Sequence, residues 1–185
     1  MGATRRGILS IAVAALLLAA GARVTFAAGA AEISSSARAA LSKLYASNPS
    51  AKTIGSKAKG ILVFPSILKA GFMVGAQSGE GAMFQGGKTV AYYRSLAGSY
   101  GFQAGIQTFG YALFFMNDSA LSYLDKSEGW EVGSGPSLVI ADDGFAKSMS
   151  TTTLTQDVYA YIFNQKGLMA GVGIQGSKIT RIHPK

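Results

Sequence analysis

The sequence predicts an α+β fold in which N-terminal helices pack on a strongly curved, Gly-rich, mainly antiparallel and barrel-like sheet. Helical patterns come first and strand patterns dominate later, which favours α+β over alternating βαβ units. A pentapeptide bounded by glycines, with a large apolar residue after the first glycine, also occurs three times, at 71–75, 101–105 and 167–171. Glycine weakens a strand interior unless the sheet bends sharply or another group approaches the backbone closely. Three copies therefore indicate strong curvature.

Residues 1–30 are predicted to be a signal peptide. Arg5 and Arg6 precede an apolar run from Ile8 to Ala20, and small residues follow. This order is typical of secretory signals, and the run is short for a membrane span, which needs about 20 apolar residues. The arginine pair also fits a twin-arginine signal, so the Sec and twin-arginine routes both stay open. The protein is expected to be periplasmic or secreted.

Residues 31–185 are predicted to form a single domain, because this length is enough to bury a core. The hydrophobic content of 49% argues against disorder. The chain has no cysteine, which excludes disulfides and thiolate metal sites.

Three helices are predicted. The first has apolar residues at helical spacing and ends at Asn48-Pro49. A shorter one covers Ser50–Lys57, and the third covers Ala120–Lys126, capped by the polar residues 117–119. The spacing of the first helix is carried by Ile33, Ala37, Leu41, Leu44 and Tyr45.

The remaining elements read as strands. The run Ile61–Phe64 before Pro65 is typical of a buried strand, and the first glycine-rich strand follows it. Gln85-Gly86-Gly87-Lys88 predicts a hairpin turn. Further strands are predicted over 89–93, 99–114, 137–141, 158–163 and 168–174.

The glycine pentapeptides lie within longer stretches that resemble the SYLF-domain family. These stretches are Lys59–Gly75 (KGILVFPSILKAGFMVG), Gly101–Gln107 (GFQAGIQ) and Gly167–Gly173 (GLMAGVG). They occur in order, and the resemblance covers nearly the whole of the predicted domain.

The resemblance implies binding to acidic phospholipids. Eukaryotic members bind phosphoinositides in particular, and some act on actin at membranes, whereas bacterial members are exported, single-domain proteins. No SH3 or FYVE domain of the kind that many eukaryotic members carry accompanies the motifs here. Lipid binding is therefore expected of this chain, and the actin and trafficking roles are not.

Basic residues are concentrated in the first part of the predicted domain. Between Glu32 and Glu80 the sequence has six cations and no acid, whereas acids cluster from Asp118 to Asp143. Each cation near an anionic membrane contributes roughly 1 kcal/mol in a salt-sensitive way, although a solvated helix face would show the same charge pattern. The predicted lipid-binding residues are Arg38, Lys43, Lys52, Lys57, Lys59 and Lys69.

Nucleic acid is not the predicted partner, despite a formal net charge of +8. Export argues against it, and the cations are not interleaved with stacking aromatics in any recognised module.

No catalytic or cofactor-binding arrangement is predicted. The one histidine is His183, and neither GxSxG nor HExxH occurs. Residues 82–89 fit a relaxed P-loop pattern, but a P-loop lysine begins a helix and a strand is predicted here. Residues 171–176 spell GxGxxG without room for a βαβ unit, and Asp142-Asp143 reads as a turn rather than a calcium site. We therefore predict a non-enzymatic protein without metal or cofactor.

Three functions remain open. The first is peripheral attachment to an anionic phospholipid membrane surface through the basic helices and the loop around Lys69. The second is a cell-envelope structural or interaction module. In it, a strand face on which the glycines lie together, and which therefore lacks side chains, docks a protein partner. The third is a carrier of a small apolar ligand in a barrel interior. Salt-sensitive vesicle binding distinguishes the first, and an apolar cavity favours the third.

Overall fold

The computed structural model describes residues 29–126, 129–141, 155–167, 174 and 176–185. Residues 1–28 of the predicted signal peptide, the Asp142-Asp143 pair and most of the predicted strand 168–174 lie outside these residues. Two helices come first, α1 (Ala30–Ser47) and α2 (Pro49–Gly55). No helix within the described ranges is long and apolar enough to cross a membrane.

Asn48 separates the first two helices, as the sequence predicts. It follows the last residue of α1, and its side-chain oxygen accepts a hydrogen bond from the backbone N–H of Ala51 at 3.0 Å. This is the N-cap role that asparagine favours, and Pro49 suits the first helical position because it has no N–H to satisfy. The third helix, α3 (Asp118–Lys126), begins in a similar way, since the Asn117 side-chain oxygen accepts from the Ala120 N–H at 2.8 Å.

The sheet is built on one very long hairpin. Its strands are β1 (Gly60–Gln85) and β2 (Lys88–Phe115), paired antiparallel from Gly60 opposite Phe115 to Gln85 opposite Lys88. Gly86 and Gly87 form the turn with φ values of 54° and 77°, the left-handed pair that a tight type I′ hairpin requires. The predicted hairpin is confirmed.

Pro65 does not end a strand, although the sequence suggests that it does. The β1–β2 register shifts between Phe64 and Ile67, so Pro65 lies at a bulge where its missing N–H interrupts no regular ladder. The predicted strands on either side of it are parts of β1, and those at 89–93 and 99–114 are likewise parts of β2.

Four shorter strands complete the described sheet: β3 (Trp130–Glu131), β4 (Leu138–Ile140), β5 (Val158–Gly167) and β6 (Lys178–Ile182). The order is β3-β6-β2-β5-β4, and β1 pairs with β2 alone. Along one edge, β2 pairs with β6 over residues 92–96 and with β5 over residues 107–115. Pairing is antiparallel except between β4 and β5. The predicted mainly antiparallel α+β architecture is confirmed.

The glycines lie where the sheet curls. Gly71 pairs with Gly105, and Gly167, the last described residue of β5, pairs with the nearby Gln107. A Cβ at Gly81 would collide with the carbonyl oxygen of Val63 in the same strand. In a straight strand these two residues would be on the order of 60 Å apart. Strand β1 therefore bends back over its own first half.

Each face of the sheet has its own apolar core, because successive strand residues point to opposite sides. One core packs against α1 and α2 and the other against α3 and Trp130. The helix α1–α2 side contains Val63, Ala82, Phe84, Ala112, Phe114, Tyr159 and Tyr161. The opposite side contains Leu62, Phe64, Met83, Tyr93, Tyr111, Leu113, Phe115, Val158 and Ala160.

Candidate functional site

Four of the predicted lipid-binding lysines are exposed on the helical part of the molecule. Lys43 lies on α1, Lys52 lies on α2, and Lys57 and Lys59 lie between α2 and β1. The Lys59 N–H donates to the carbonyl of Phe115 at 2.8 Å, which fixes this segment to the end of the hairpin. Helical rise and chain length keep the Cα atoms of the last three lysines within roughly 16 Å of one another.

These lysines take no part in the ion pairs found among the described residues. Those pairs join Arg94 to Glu80, at 2.6 Å, and Arg181 to Asp125, at 3.7 Å. The four residues lie on strands or on α3. Among the described residues, no carboxylate therefore forms an ion pair with these helical lysines.

Arg38 has a structural contact that the sequence did not indicate. Its guanidinium donates to the carbonyl of Gly87 at 3.1 Å and lies over the ring of Phe84, 4.9 Å from the centroid. The residue therefore attaches α1 to the turn of the long hairpin. It remains exposed at the surface, so its charge still adds to the positive potential of α1.

The placement of Lys69 in a surface loop was wrong. Lys69 lies inside β1 opposite Gln107, and only 6% of it is exposed. The sequence signals on either side, Pro65 and Gly71, resemble loop punctuation, but in this chain they mark a bulge and a bend within one strand. A membrane surface would not reach this side chain, so the exposed basic surface comprises the other five cations.

Lys69 belongs to a set of polar residues buried inside the curl. The Gln77 amide donates to the hydroxyl of Ser177 at 3.0 Å. The Tyr111 hydroxyl donates to that of Ser95 at 2.8 Å, and burial raises the pKa of Tyr111. The Gln107 side-chain oxygen is buried with no hydrogen-bond partner among the described residues. These polar groups are buried next to a mainly apolar core, to which Tyr111 belongs together with Phe64, Phe109 and Leu113.

An open groove of about 730 Å³ lies between the start of α1 and the bent hairpin, and apolar side chains line part of it. Ile33 lies on the helix side, while Leu68 and Leu96 line the sheet side. Both leucines are about half exposed, at 46% and 48%. The exposure of these leucines was not predicted, because leucine in a strand pattern normally indicates a core position.

The strand face that carries Gly79 and Gly81 is covered by another part of β1. Side chains at Gly79 and Gly81 would collide with backbone atoms of Ser66 and Val63. The glycines therefore allow β1 to pack on itself. This removes the docking surface on which the interaction-module prediction depended at these two positions.

Two of the chemical patterns considered from the sequence can be compared with the described residues. Strand β2 begins directly after the Gly86-Gly87 turn, so the relaxed P-loop pattern lacks the helix that would bind phosphate. No group of three or more His, Asp or Glu side chains is placed to hold a metal within the described ranges.

One polar cluster was missed by sequence reasoning. Asp157 accepts hydrogen bonds from the Ser137 N–H and hydroxyl and from the Asn117 amide. These bonds, the Ser137 backbone bond first, lower the pKa of Asp157. The cluster joins the starts of α3, β4 and β5, and its role is structural.

Comparison with known families supports the motif-based resemblance. Residues 96–183 match the family model described as Ysc84, Las17-binding protein actin regulator. The SYLF prediction is confirmed over this range. The SYLF match runs from the middle of β2 through β6, so the exposed basic residues of α1 and α2 precede it. A search of curated proteins found no significant match.

Proposed function

We propose that this SYLF protein is exported and, without enzymatic activity, binds acidic phospholipid at a membrane surface. The contact is made by Lys43, Lys52, Lys57 and Lys59, with Arg38 beside them. The observation that carries the proposal is the exposure of these cations on the helical part of the molecule, outside the ion pairs of the described residues. The family resemblance supports phosphoinositide-type headgroups as ligands.

The expected attachment is weak and reversible. Four or five cations at roughly 1 kcal/mol each give about 4–5 kcal/mol at the membrane surface. This free energy corresponds to a dissociation constant near 1 mM or somewhat below. Such binding weakens as salt shortens the screening length, so the protein would leave the surface readily unless a second contact retained it.

Co-sedimentation with lipid vesicles tests the proposal. The purified protein, as processed by the producing cell, is mixed with neutral or anionic vesicles at low and at high salt. We expect binding to anionic vesicles only, and its loss at high salt. The variant Lys52→Glu/Lys57→Glu/Lys59→Glu should bind about a hundredfold more weakly, because about 3 kcal/mol of attraction is removed.

A control variant of equal net charge shows whether binding depends on the basic surface or only on the net charge of the protein. The variant Lys126→Glu/Lys166→Glu/Lys185→Glu changes three exposed lysines elsewhere and alters the net charge equally. It should retain most of the binding. Equal loss in both variants would contradict a defined basic surface, and mass determination of the mature N-terminus would test export.

The interaction-module function remains the alternative. The matched family description names Las17 binding and actin regulation, and we propose neither for this chain because the expected location is outside the cytoplasm. Absence of vesicle binding by the unmodified protein would favour a protein partner in the cell envelope.

A further inference from the structure

The groove beside α1 has the size and the lining of a site for a hydrocarbon chain. Its volume of about 730 Å³ falls within the range of small-ligand sites, roughly 300–1,000 Å³. The sheet side is lined by Leu68, Ala70, Ala76 and Leu96, and the helix side by Ile33. Side chains of this kind offer dispersion contacts and no hydrogen bonds.

The charges that line the groove leave little for a charged ligand to bind. Arg94 and Glu80 lie opposite each other on the two strands and form an ion pair at 2.6 Å. Glu32, on α1, is the other charged lining residue. A fatty acid carboxylate would have to compete with Glu80 for Arg94 while facing Glu32. The lining is therefore complementary to an uncharged chain whose headgroup stays outside.

The rim of the groove is also apolar. Ile106 pairs with the lining residue Ala70, and Val74 lies two residues before the lining residue Ala76. Both are well exposed, at 65% and 60%. Single exposed apolar residues are ordinary, and these two are notable only because they lie close along the strands to residues that line the groove.

We propose that this groove takes one acyl chain of a membrane phospholipid. The inference rests on the proposed function, because it supplies the second contact that retains the weakly attached protein. An extended peptide is a poorer occupant, since among uncharged lining side chains only those of Ser36, Ser66, Gln77 and Ser78 are polar, and the rest of its backbone N–H and C=O groups would face apolar side chains.

A neutral, single-chain lipid tests the groove separately from the basic surface. Zwitterionic lysophosphatidylcholine, below its critical micelle concentration, is titrated into the processed protein and followed by amide NMR. We expect saturable binding with one lipid per chain, and the largest shifts at residues 68–70, 76–80 and 94–96. The Lys52→Glu/Lys57→Glu/Lys59→Glu variant should bind this neutral lipid as well as the unmodified protein does.

Two groove variants and one control define the site. Leu96→Asp should weaken lysophosphatidylcholine binding at least about tenfold, because an apolar contact the size of leucine is lost. Ala76→Leu should also weaken it, since it fills the groove while keeping the surface apolar. Val90→Asp changes a residue of β2 that is similarly exposed, at 46%, but lies outside the groove, and it should have no effect.

The outcomes are separable. Saturable binding that is lost in both groove variants supports the acyl-chain site. Absence of saturable binding overturns it, as does equal loss in Val90→Asp, or self-association of the protein through Leu96 without lipid binding. If lysophosphatidylcholine does not bind while salt-sensitive binding to anionic vesicles persists, the groove inference fails and the proposed function stands.

Discussion

Gly81 lies where β1 passes over its own first half, close to the carbonyl of Val63 and the ring of Phe64. Its φ is not in the left-handed region, so the position requires glycine for space and not for backbone conformation. Gly98, on β2, has no atom within 4 Å of where a Cβ would lie. Gly81 is therefore required because a side chain would not fit, whereas Gly98 only adds flexibility to the unfolded chain.

Gly81→Ala should therefore destabilise the protein by about 2 kcal/mol or more, because the added methyl group overpacks a contact made with backbone. Gly98→Ala should be neutral or stabilise by up to about 1 kcal/mol, through a less flexible unfolded chain. Urea unfolding of both variants measures the difference. Equal destabilisation would contradict the assigned contact.

Asp157 should make the free energy of unfolding depend on pH in the acidic range. Its hydrogen bonds to Ser137 and Asn117 lower its pKa below the ordinary aspartate value of about 4. A carboxylate with a lowered folded-state pKa stabilises the protein above the ordinary value, and this contribution is lost as the pH falls through the folded-state pKa. Asp157→Asn should be less stable at neutral pH and lose less stability below about pH 4. Unfolding midpoints at a series of pH values test this, and parallel profiles would argue against it.

At the scale of the element, α1 is held beside the hairpin turn by Arg38 and by a hydrogen bond of 2.6 Å between the Ser34 and Thr89 hydroxyls. Arg38 bonds to the carbonyl of Gly87 and covers the ring of Phe84, while Lys43 on the same helix is exposed. Arg38→Ala should cost about 1–2 kcal/mol of stability, from one hydrogen bond and one cation–π contact. Lys43→Ala should cost less than about 0.5 kcal/mol. Thermal unfolding compares them, and similar losses would contradict the anchoring role.

The elements that sequence reasoning identified are those fixed by local chemistry. Asn48, Asn117 and the Gly86-Gly87 turn act through neighbours within three residues, and all three were predicted where they occur. The continuity of β1 through Pro65 was not predicted, because it depends on pairing with Phe109 and Tyr111 far along the chain. Strand β6 was missed for the same reason, since only its pairing with β2 and β3 defines it.

In the candidate site, too, features that depend on a single residue differ from those that depend on distant contacts. The exposure of the lysines on the helices follows from residue chemistry, because solvation of a charged side chain outweighs any local preference. Lys69 was misplaced because its burial results from the bend of β1, which brings distant residues around it. The groove could not be foreseen, since it forms between α1 and residues of two strands.

At the scale of the whole molecule, the curled sheet is shared by two cores. Trp130, on one side, is 1% exposed and packs near Phe115. On the other side, Tyr161 forms a hydrogen bond with Ser50 of α2 at 2.8 Å. Adjacent residues of β2, such as Leu113 and Phe114, point into opposite cores. Neither core can loosen without disturbing the strand that both share.

The two sides should therefore unfold together. Trp130 fluorescence reports on one core, and helical circular dichroism reports largely on α1 and α2 over the other. We expect coincident transitions by the two probes, which is a test of two-state behaviour. Leu113→Ala should lower both midpoints together, at a cost of about 2–5 kcal/mol. Earlier loss of helix signal with Trp130 still buried would contradict this coupling.

The pairing of β6 with residues 92–96 of β2 determines when the protein can finish folding. The paired strands are separated by more than eighty residues of sequence, and such contacts form slowly because a long loop must close first. Until Lys178–Ile182 have left the ribosome, that edge of β2 lacks the partner it has in the finished sheet, and open edges invite association between chains. Completion of the sheet therefore waits for β6, which is synthesised more than eighty residues after the part of β2 with which it pairs.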